Sequence, residues 1–284
     1  MGSLRRIFKA LIGWDKLDPE HKKKLQEKYY LQKYKIRALG FSLLSILPIP
    51  ITVLLQISGS DKHQVDGHLY GFAYGRAFER FRYRRIKLLE IGIGGYGYRL
   101  GGESLLTWRA YFPFAKIMAA DIEDKSALAT PRVKIFKIDQ GNEHDLQNLA
   151  ASQGPFDIII DDGSHLSRHQ IFTFLQLFDS LLEGGLYVIE DVMTSFWDFG
   201  GWDGAPIDRE SFAHTCVGFF QALVPYLNAD EFQYRESIDE AKCLLAKKIS
   251  WIHFEKNLIL LERRTRSKGA TAVERLMAAK HAGD

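Results

Sequence analysis

Two acidic clusters, Asp161-Asp162-Gly163-Ser164-His165 and Glu190-Asp191, each follow a short apolar run, Phe156-Asp157-Ile158-Ile159-Ile160 and Leu186-Tyr187-Val188-Ile189. Asp162, Glu190 and Asp191 offer three carboxylates and no thiol, a donor set for a hard, oxygen-seeking cation: Mg²⁺ first, with Mn²⁺ or Ca²⁺ as alternatives. A divalent ion lowers the pKa of a hydroxyl bound to it and orients that hydroxyl. His165, three residues after Asp162, stands where it can accept the proton. The elements that must position these groups are strands. Runs rich in β-branched residues and bounded by Gly and Asp read as parallel strands covered on both faces. Ligand sites of open α/β sheets lie at the carboxyl ends of such strands. Neighbouring strands are about 4.8 Å apart, so adjacency would let the clusters converge although Asp162 and Glu190 stand 28 positions apart.

A third element points the same way. Leu88-Leu89-Glu90-Ile91-Gly92-Ile93-Gly94-Gly95-Tyr96-Gly97 is a strand followed by a glycine-rich turn, where backbone can approach a ligand that a side chain would exclude. Gly92, Gly94 and Gly97 satisfy G-x-G-x-x-G, so a nicotinamide-dinucleotide oxidoreductase is a rival reading, with Asp121, 24 residues after Gly97, as its ribose acid. Against it, Glu90 precedes the glycines and suits a ligand with a positive amino group better than a pyrophosphate. The segment Tyr98–Ser104 also fails to open at once into the helix whose N-terminus would hold a pyrophosphate.

Between residues 60 and 264, apolar strand-like runs alternate with amphipathic stretches, the pattern of a βαβ sheet. Strands are expected at Lys87–Ile91, Lys116–Asp121, Val133–Ile138, Phe156–Asp161 and Leu186–Glu190, with helices such as Gly102–Tyr111 and Arg168–Leu182 between them. After a helix over Arg209–Leu227 and an extended Glu231–Arg235, the runs Ile249–Phe254 and Leu258–Glu262 flank Glu255-Lys256-Asn257 and read as an antiparallel hairpin added to the sheet. The expected fold is α/β: a doubly wound, mostly parallel seven-stranded Rossmann-like sheet with an antiparallel C-terminal hairpin and a helical N-terminal extension. Residues 1–59 form that extension, 60–264 the catalytic domain and 265–284 a polar tail.

In these motifs the sequence resembles class I S-adenosylmethionine-dependent methyltransferases, and among them the metal-dependent sugar O-methyltransferases of macrolide biosynthesis. The resemblance covers about Ser60 to Glu262 and rests on Gly59-Ser60-Asp61-Lys62, Leu89–Tyr96, Gly101-Gly102-Glu103-Ser104-Leu105, Asp161–His165 and Val188-Ile189-Glu190-Asp191. It implies that Glu90, Ile91, Gly92, Ile93, Gly94, Gly95 and Tyr96 lie along the methionine part of S-adenosylmethionine. It further implies that Asp121 holds the ribose hydroxyls, that Asp139 and Gln140 flank the adenine, and that Asp161, Ser60 and Ser104 complete the pocket. Ser60 departs from the family's usual threonine, and residues 1–58 match nothing in it. The implied activity is metal-dependent methyl transfer to a sugar hydroxyl of a glycoside, glycolipid or polysaccharide, with His165 as base. The rivals are the oxidoreductase and a catalytically inactive membrane-associated adaptor with the same fold.

Each residue also has a plainer reading. Asp161 and Asp162 could cap the helix that begins near Ser167, which accounts for one of them and leaves Glu190-Asp191 unexplained. His165 could hydrogen-bond that same helix, and His169, one turn on, reads as a helix-surface residue. His63 and His68 lie beside the entrance segment, where lone histidines are usually structural. Trp197, Phe199 and Trp202, in the loop Thr194–Pro206 with Gly200, Gly201 and Gly204 as hinges, read either as a mobile lid that stacks on a sugar or as a glycine-rich surface loop.

With 284 residues, 46% of them hydrophobic, the chain can bury a sizeable core. Cys216 and Cys243 form no metal spacing or disulfide framework, which fits a reducing compartment; a cytoplasmic location is expected, with peripheral attachment to the cytoplasmic membrane face as a further expectation. Residues 1–37 hold 11 Lys/Arg against 4 Asp/Glu, and residues 38–284 hold 27 against 31. Nucleic acid is not an expected substrate: the body is slightly acidic and no Asn-Pro-Pro-Tyr-like tetrapeptide follows the fourth strand. From Ala38 to Ser60 the chain carries no charge for 23 residues, interrupted by Pro48 and Pro50. That run is an apolar helix pair packed on the domain or on another subunit of a homo-oligomer, a peripheral membrane contact, or a span.

Overall fold

The structure, a computed structural model, describes residues 17–63, 68–95, 100–231 and 238–265. The chain falls into two compact units: Met1–Tyr83 with Ile93–Pro113 and Lys125–Ile135, and Arg84–Gly92 with Phe114–Asp124 and Phe136–Asp284.

The first unit is helical. Helix α1 (Pro19–Leu44) starts at Asp18, whose Oδ1 accepts the N–H groups of Glu20 and His21 at 3.0 Å each, with proline at the first helical position, where its missing N–H is no loss. The chain turns at Pro48 and Pro50, and α2 (Ile51–Ser58) begins directly after them. The Arg82 guanidinium holds this corner by donating to the carbonyls of Leu47 and Ile49 at 3.3 and 2.8 Å. Arg37 donates to the carbonyls of Ile57 and Ser58 in the last turn of α2. Tyr34, Ala38 and Phe41 of α1 and Ile51, Leu54 and Leu55 of α2 are buried. The uncharged run therefore folds as a helix pair, and no helix among the described residues is long and apolar enough to cross a membrane, which overturns the spanning reading. Helices α3 (Gly71–Phe78) and α4 (Glu103–Tyr111) add an aromatic core in which Tyr74 stacks on Phe78 at 4.7 Å and Trp108 stands edge-on to both.

The sheet holds β1 (Lys87–Ile91), β2 (Lys116–Asp121), β3 (Val133–Lys137), β4 (Phe156–Asp161), β5 (Leu181–Glu190), β6 (Ile249–Glu255) and β7 (Leu258–Arg263) in the order β3-β2-β1-β4-β5-β7-β6. β1 pairs in parallel with β2 and β4, and β4 with β5, whereas β7 runs antiparallel between β5 and β6. Helices α5 (Glu143–Gln153), α6 (Ser167–Leu177), α7 (Cys216–Leu223) and α8 (Glu240–Ala246) complete the second unit. Its core packs Leu89, Ile91, Ile159, Tyr187 and Ile189 of the sheet with Phe174 and Leu177 of α6 and Phe220 and Leu223 of α7.

Three expected boundaries move. The helix expected to reach Leu182 stops at Leu177, because Leu181 already pairs with Phe156 and starts β5. The helix expected over Arg209–Leu227 is broken: Thr215 caps α7, its hydroxyl accepting the Gly218 N–H, and Pro225 lies just past the α7 C-terminus. The hairpin turn narrows to Lys256-Asn257, with Asn257 left-handed (φ 63°) and Glu255 paired to Leu258. The expected extended segment after Glu231 and the tail beyond residue 265 lie outside the described residues.

Candidate active site

Strand register explains which acids meet. Ile91 lies beside Asp161, and Asp161 beside Ile189. Side chains alternate along a strand, so positions two apart share a face. Asp161 therefore belongs to the face of Ile91 and Ile189, which carries the α6–α7 core. Glu90, Glu190 and Asp162, one step out of phase, share the opposite face. Ligand atoms of Glu90, Asp162 and Glu190 lie within 4.8 Å of one another, and so do those of Asp162, His165 and Asp191. Asp162 is common to both groups. Glu90 and Glu190 are buried, and burying carboxylates this close demands a counter-charge. The donor chemistry fits a hard divalent cation, with the acids as its ligands.

The turn after β4 is held tightly. A Cβ on Gly92 (φ 77°) would lie 2.0 Å from the Asp162 carbonyl oxygen, and one on Gly163 would lie 2.3 Å from Gln140 Oε1. Gly92 therefore requires glycine twice over, by backbone contact and by its left-handed φ, whereas a side chain at Gly163 would push the Gln140 amide aside. Gln140, expected only as an adenine neighbour, is a clamp: its amide nitrogen donates to Asp161 Oδ1 at 2.6 Å and its oxygen accepts the Ser164 N–H at 2.9 Å. Burial pushes the Asp161 carboxyl up to about 7, against the lowering effects of the Gly163 N–H and the Gln140 amide. Its other oxygen, Oδ2, is buried without a hydrogen-bond partner, an acceptor aimed at nothing in the protein.

His165 and Asp191 face each other, with Nε2 3.6 Å from Oδ2, and both residues are left-handed, at φ 56° and 55°. Such backbone is uncommon outside glycine and persists where surrounding contacts impose it. The contacts are visible: the Thr194 hydroxyl donates to the His165 carbonyl at 2.6 Å, and the Gln170 amide donates to the Glu190 carbonyl at 2.9 Å. The first N–H groups of α6, Ser167 and Arg168, donate to the Asp203 carboxylate at 2.6 and 3.0 Å. The cap expected from Asp161, Asp162 or His165 thus comes from a loop 36 residues away. Thr194, Gln170 and Asp203 carried no local signal, because their partners are remote in sequence. His169 is tied to the loop by Nδ1 to Ser164 Oγ at 2.8 Å.

Asp121 is buried at the end of β2, where its carboxylate accepts the Glu123 N–H at 3.0 Å, and Asp139 is exposed, accepting the Gly141 N–H at 2.8 Å. Ser60, Ile93 and Ser104 are buried, and with Gly94 and Gly95 they belong to the helical unit. Tyr96 lies outside the described residues. His63 is buried edge-on to Phe72, and His68 stacks on Tyr70. Trp197 contacts both Phe199 and Trp202, at 6.0 and 5.7 Å between ring centres, in the loop that supplies Asp203. Both cysteines are free.

Strand order, antiparallel last strands and acids at the carboxyl ends of the parallel strands define the fold of class I S-adenosylmethionine-dependent methyltransferases. No family model matches the chain. It is 39% identical over 222 residues, 78% of its length, to the 8-demethyl-8-α-L-rhamnosyl tetracenomycin-C 2'-O-methyltransferase of Streptomyces olivaceus, and 34% identical over 210 residues to the mycinamicin VI 2''-O-methyltransferase of Micromonospora griseorubida. The MycE methyltransferase of the mycinamycin biosynthetic pathway, solved with Mg, SAH and mycinamycin VI, superposes with a TM-score of 0.68 at 30% identity over 78% of this chain and 57% of that one. The chain is a homologue of these sugar O-methyltransferases and spans only 56% and 50% of the length of the two relatives.

Proposed function

We propose that this protein transfers the methyl group of S-adenosylmethionine to a sugar hydroxyl of a glycosylated acceptor, in a Mg²⁺-dependent reaction. The observation that carries the reading is that Asp162, just past β4, belongs with Glu190 and Glu90 to one group of potential metal ligands and with Asp191 and His165 to a second. The same Mg and SAH occur in the homologous structure. Asp162, Glu190 and Asp191 would hold the cation; when bound, it lowers the acceptor hydroxyl's pKa and neutralises the buried acids. Glu90, which shares a donor group with Asp162 and Glu190, would accept from the amino group of the cofactor's methionine part. Asp161 Oδ2 supplies an unsatisfied acceptor for the cofactor from the opposite face, Asp121 takes the ribose, and Asp139 and Gln140 flank the adenine. Ser60, Ile93, Gly94, Gly95, Tyr96 and Ser104 are the further cofactor residues that the family resemblance implies.

His165 accepts the hydroxyl proton. Asp191, 3.6 Å away, stabilises the imidazolium so formed. The left-handed backbone of both residues, braced by Thr194, fixes the pair before substrate arrives. Trp197, Phe199 and Trp202 offer aromatic faces to the sugar ring. The acceptor is a small glycoside or a glycolipid, and the protein works as a homo-oligomer in the cytoplasm.

Labelled methyl transfer to a panel of rhamnosides and other 6-deoxyhexosides, with and without chelator, tests this. Transfer should stop with EDTA and return with Mg²⁺. Full activity after metal stripping defeats the metal-dependent mechanism. Thermal stabilisation by NAD⁺ and not by SAH would return the fold to the oxidoreductase reading.

A further inference from the structure

Helix α1 buries Tyr34, Ala38 and Phe41 on one side, and its opposite side is apolar as well. Ile36, Leu39 and Leu43 are each 70% exposed, and Ile46, just past the helix end, is 80% exposed. With the exposed Leu25 and Tyr29 they recur at alternating steps of four and three, Gln32 filling the one remaining step. At 100° per residue, Leu25, Tyr29, Gln32, Ile36, Leu39 and Leu43 fall within about 45° of one direction. Lys28 and Lys35 lie on one side of that stripe and Lys33 on the other, roughly 50–90° from its centre. All three lysines are exposed, and none forms an ion pair among the described residues, whereas Lys23 and Lys24 pair with Glu27 and Glu20.

We infer that this face of α1 is a docking surface for an anionic lipid bilayer, with the helix lying in the plane of the interface. An apolar stripe edged by lysines on both sides is what such a helix needs: leucine and isoleucine enter the acyl boundary, and lysine stems lie along it with their ammonium groups at the phosphates. Step pattern alone would also suit a second helix. The lysines decide against a second copy of this chain, because two copies packed on this stripe would set lysine rows against lysine rows. Beyond the helix the surface widens: Leu47, Pro48 and Pro50 at the corner are exposed too, and no charge occurs from Ala38 to Ser60. A bilayer accepts that breadth. The docking is independent of the methyl-transfer reading, since it uses no residue of the site.

Flotation of the full chain with phosphatidylcholine vesicles, with and without phosphatidylglycerol, tests the inference. The protein should float with the anionic vesicles and stay behind with neutral ones. Leu39→Asp/Leu43→Asp should abolish flotation, and Lys28→Gln/Lys33→Gln/Lys35→Gln should weaken it on the order of a hundredfold. Salt at about 0.5 M should act like the lysine variant. Undiminished thermal stability of each variant shows that the fold is intact. A full-length protein that stays behind with anionic vesicles at low salt overturns the inference. So does an oligomer, seen by light scattering, that dissociates in Leu39→Asp/Leu43→Asp while flotation is unchanged, because a second copy then occupies the face.

Discussion

Asp161 and Asp162 are adjacent in sequence and belong to different environments. Asp161, on the core side of the sheet, is buried, clamped by Gln140 and held near neutrality by desolvation. Asp162, on the other side, is half-exposed and shared by two groups of potential metal ligands. One step of the strand pleat separates a group that can receive a hydrogen bond from one that can bind a cation. Chemical identity is thus the lesser part of a residue's role here, and strand phase the greater.

The sharpest way to break this comparison is to remove each acid in turn. Asp162→Ala should abolish turnover and Mg²⁺ binding while calorimetry still detects S-adenosylmethionine binding. Asp161→Ala should do the reverse, weakening the cofactor by about tenfold or more, the cost of one charge-assisted hydrogen bond, with Mg²⁺ affinity retained. If either variant loses both ligands together in a folded protein, the two faces do not divide the labour.

His165→Ala sharpens the metal side. Turnover should fall by roughly 10²–10⁴, the usual contribution of a positioned proton acceptor, with cofactor affinity unchanged. A loss below about fivefold would leave activation to the cation and make His165 a structural residue.

The smallest effect is expected at Asp203. Asp203→Ala removes the cap of α6 and should lower stability by about 1 kcal/mol in denaturant titration. It should also loosen the loop that carries Trp197 and Trp202, raising the KM for a glycoside more than it lowers kcat. An unchanged KM would show that the aromatic loop stands apart from acceptor binding.

Much of this was legible in the sequence. The bounds of β1, β2 and β4 agree with the expected strands because continuous β-branched runs closed by Gly or Asp leave few alternatives. The meeting of Asp162 and Glu190 was legible only on the condition that β4 and β5 are neighbours, and the strand order meets that condition. Glu90's place beside Asp162 and Glu190 was not legible, because it depends on register between strands that no local pattern encodes. Asp203 and Thr194 stayed hidden for the same reason: each serves a partner about 30 residues or more away. The spanning reading of the uncharged run stayed open in the sequence until Pro48 and Pro50 proved to divide the run between the end of α1 and the short α2, a matter of backbone geometry more than of hydropathy.

The position of β7 sets an order of events in biosynthesis. β5 ends in Glu190, yet one of its two neighbours, β7, is made some 70 residues later. Until β7 arrives, β5 is an edge strand with open amides. The hairpin that closes it also fastens the segment after Asp191, where the Val192 N–H donates to the Asn257 carbonyl at 3.2 Å. The second acidic cluster therefore rests on pairing with a hairpin that leaves the ribosome after β1, β4 and β5. The acids proposed to hold the cation thus depend for their final setting on the hairpin that is made last.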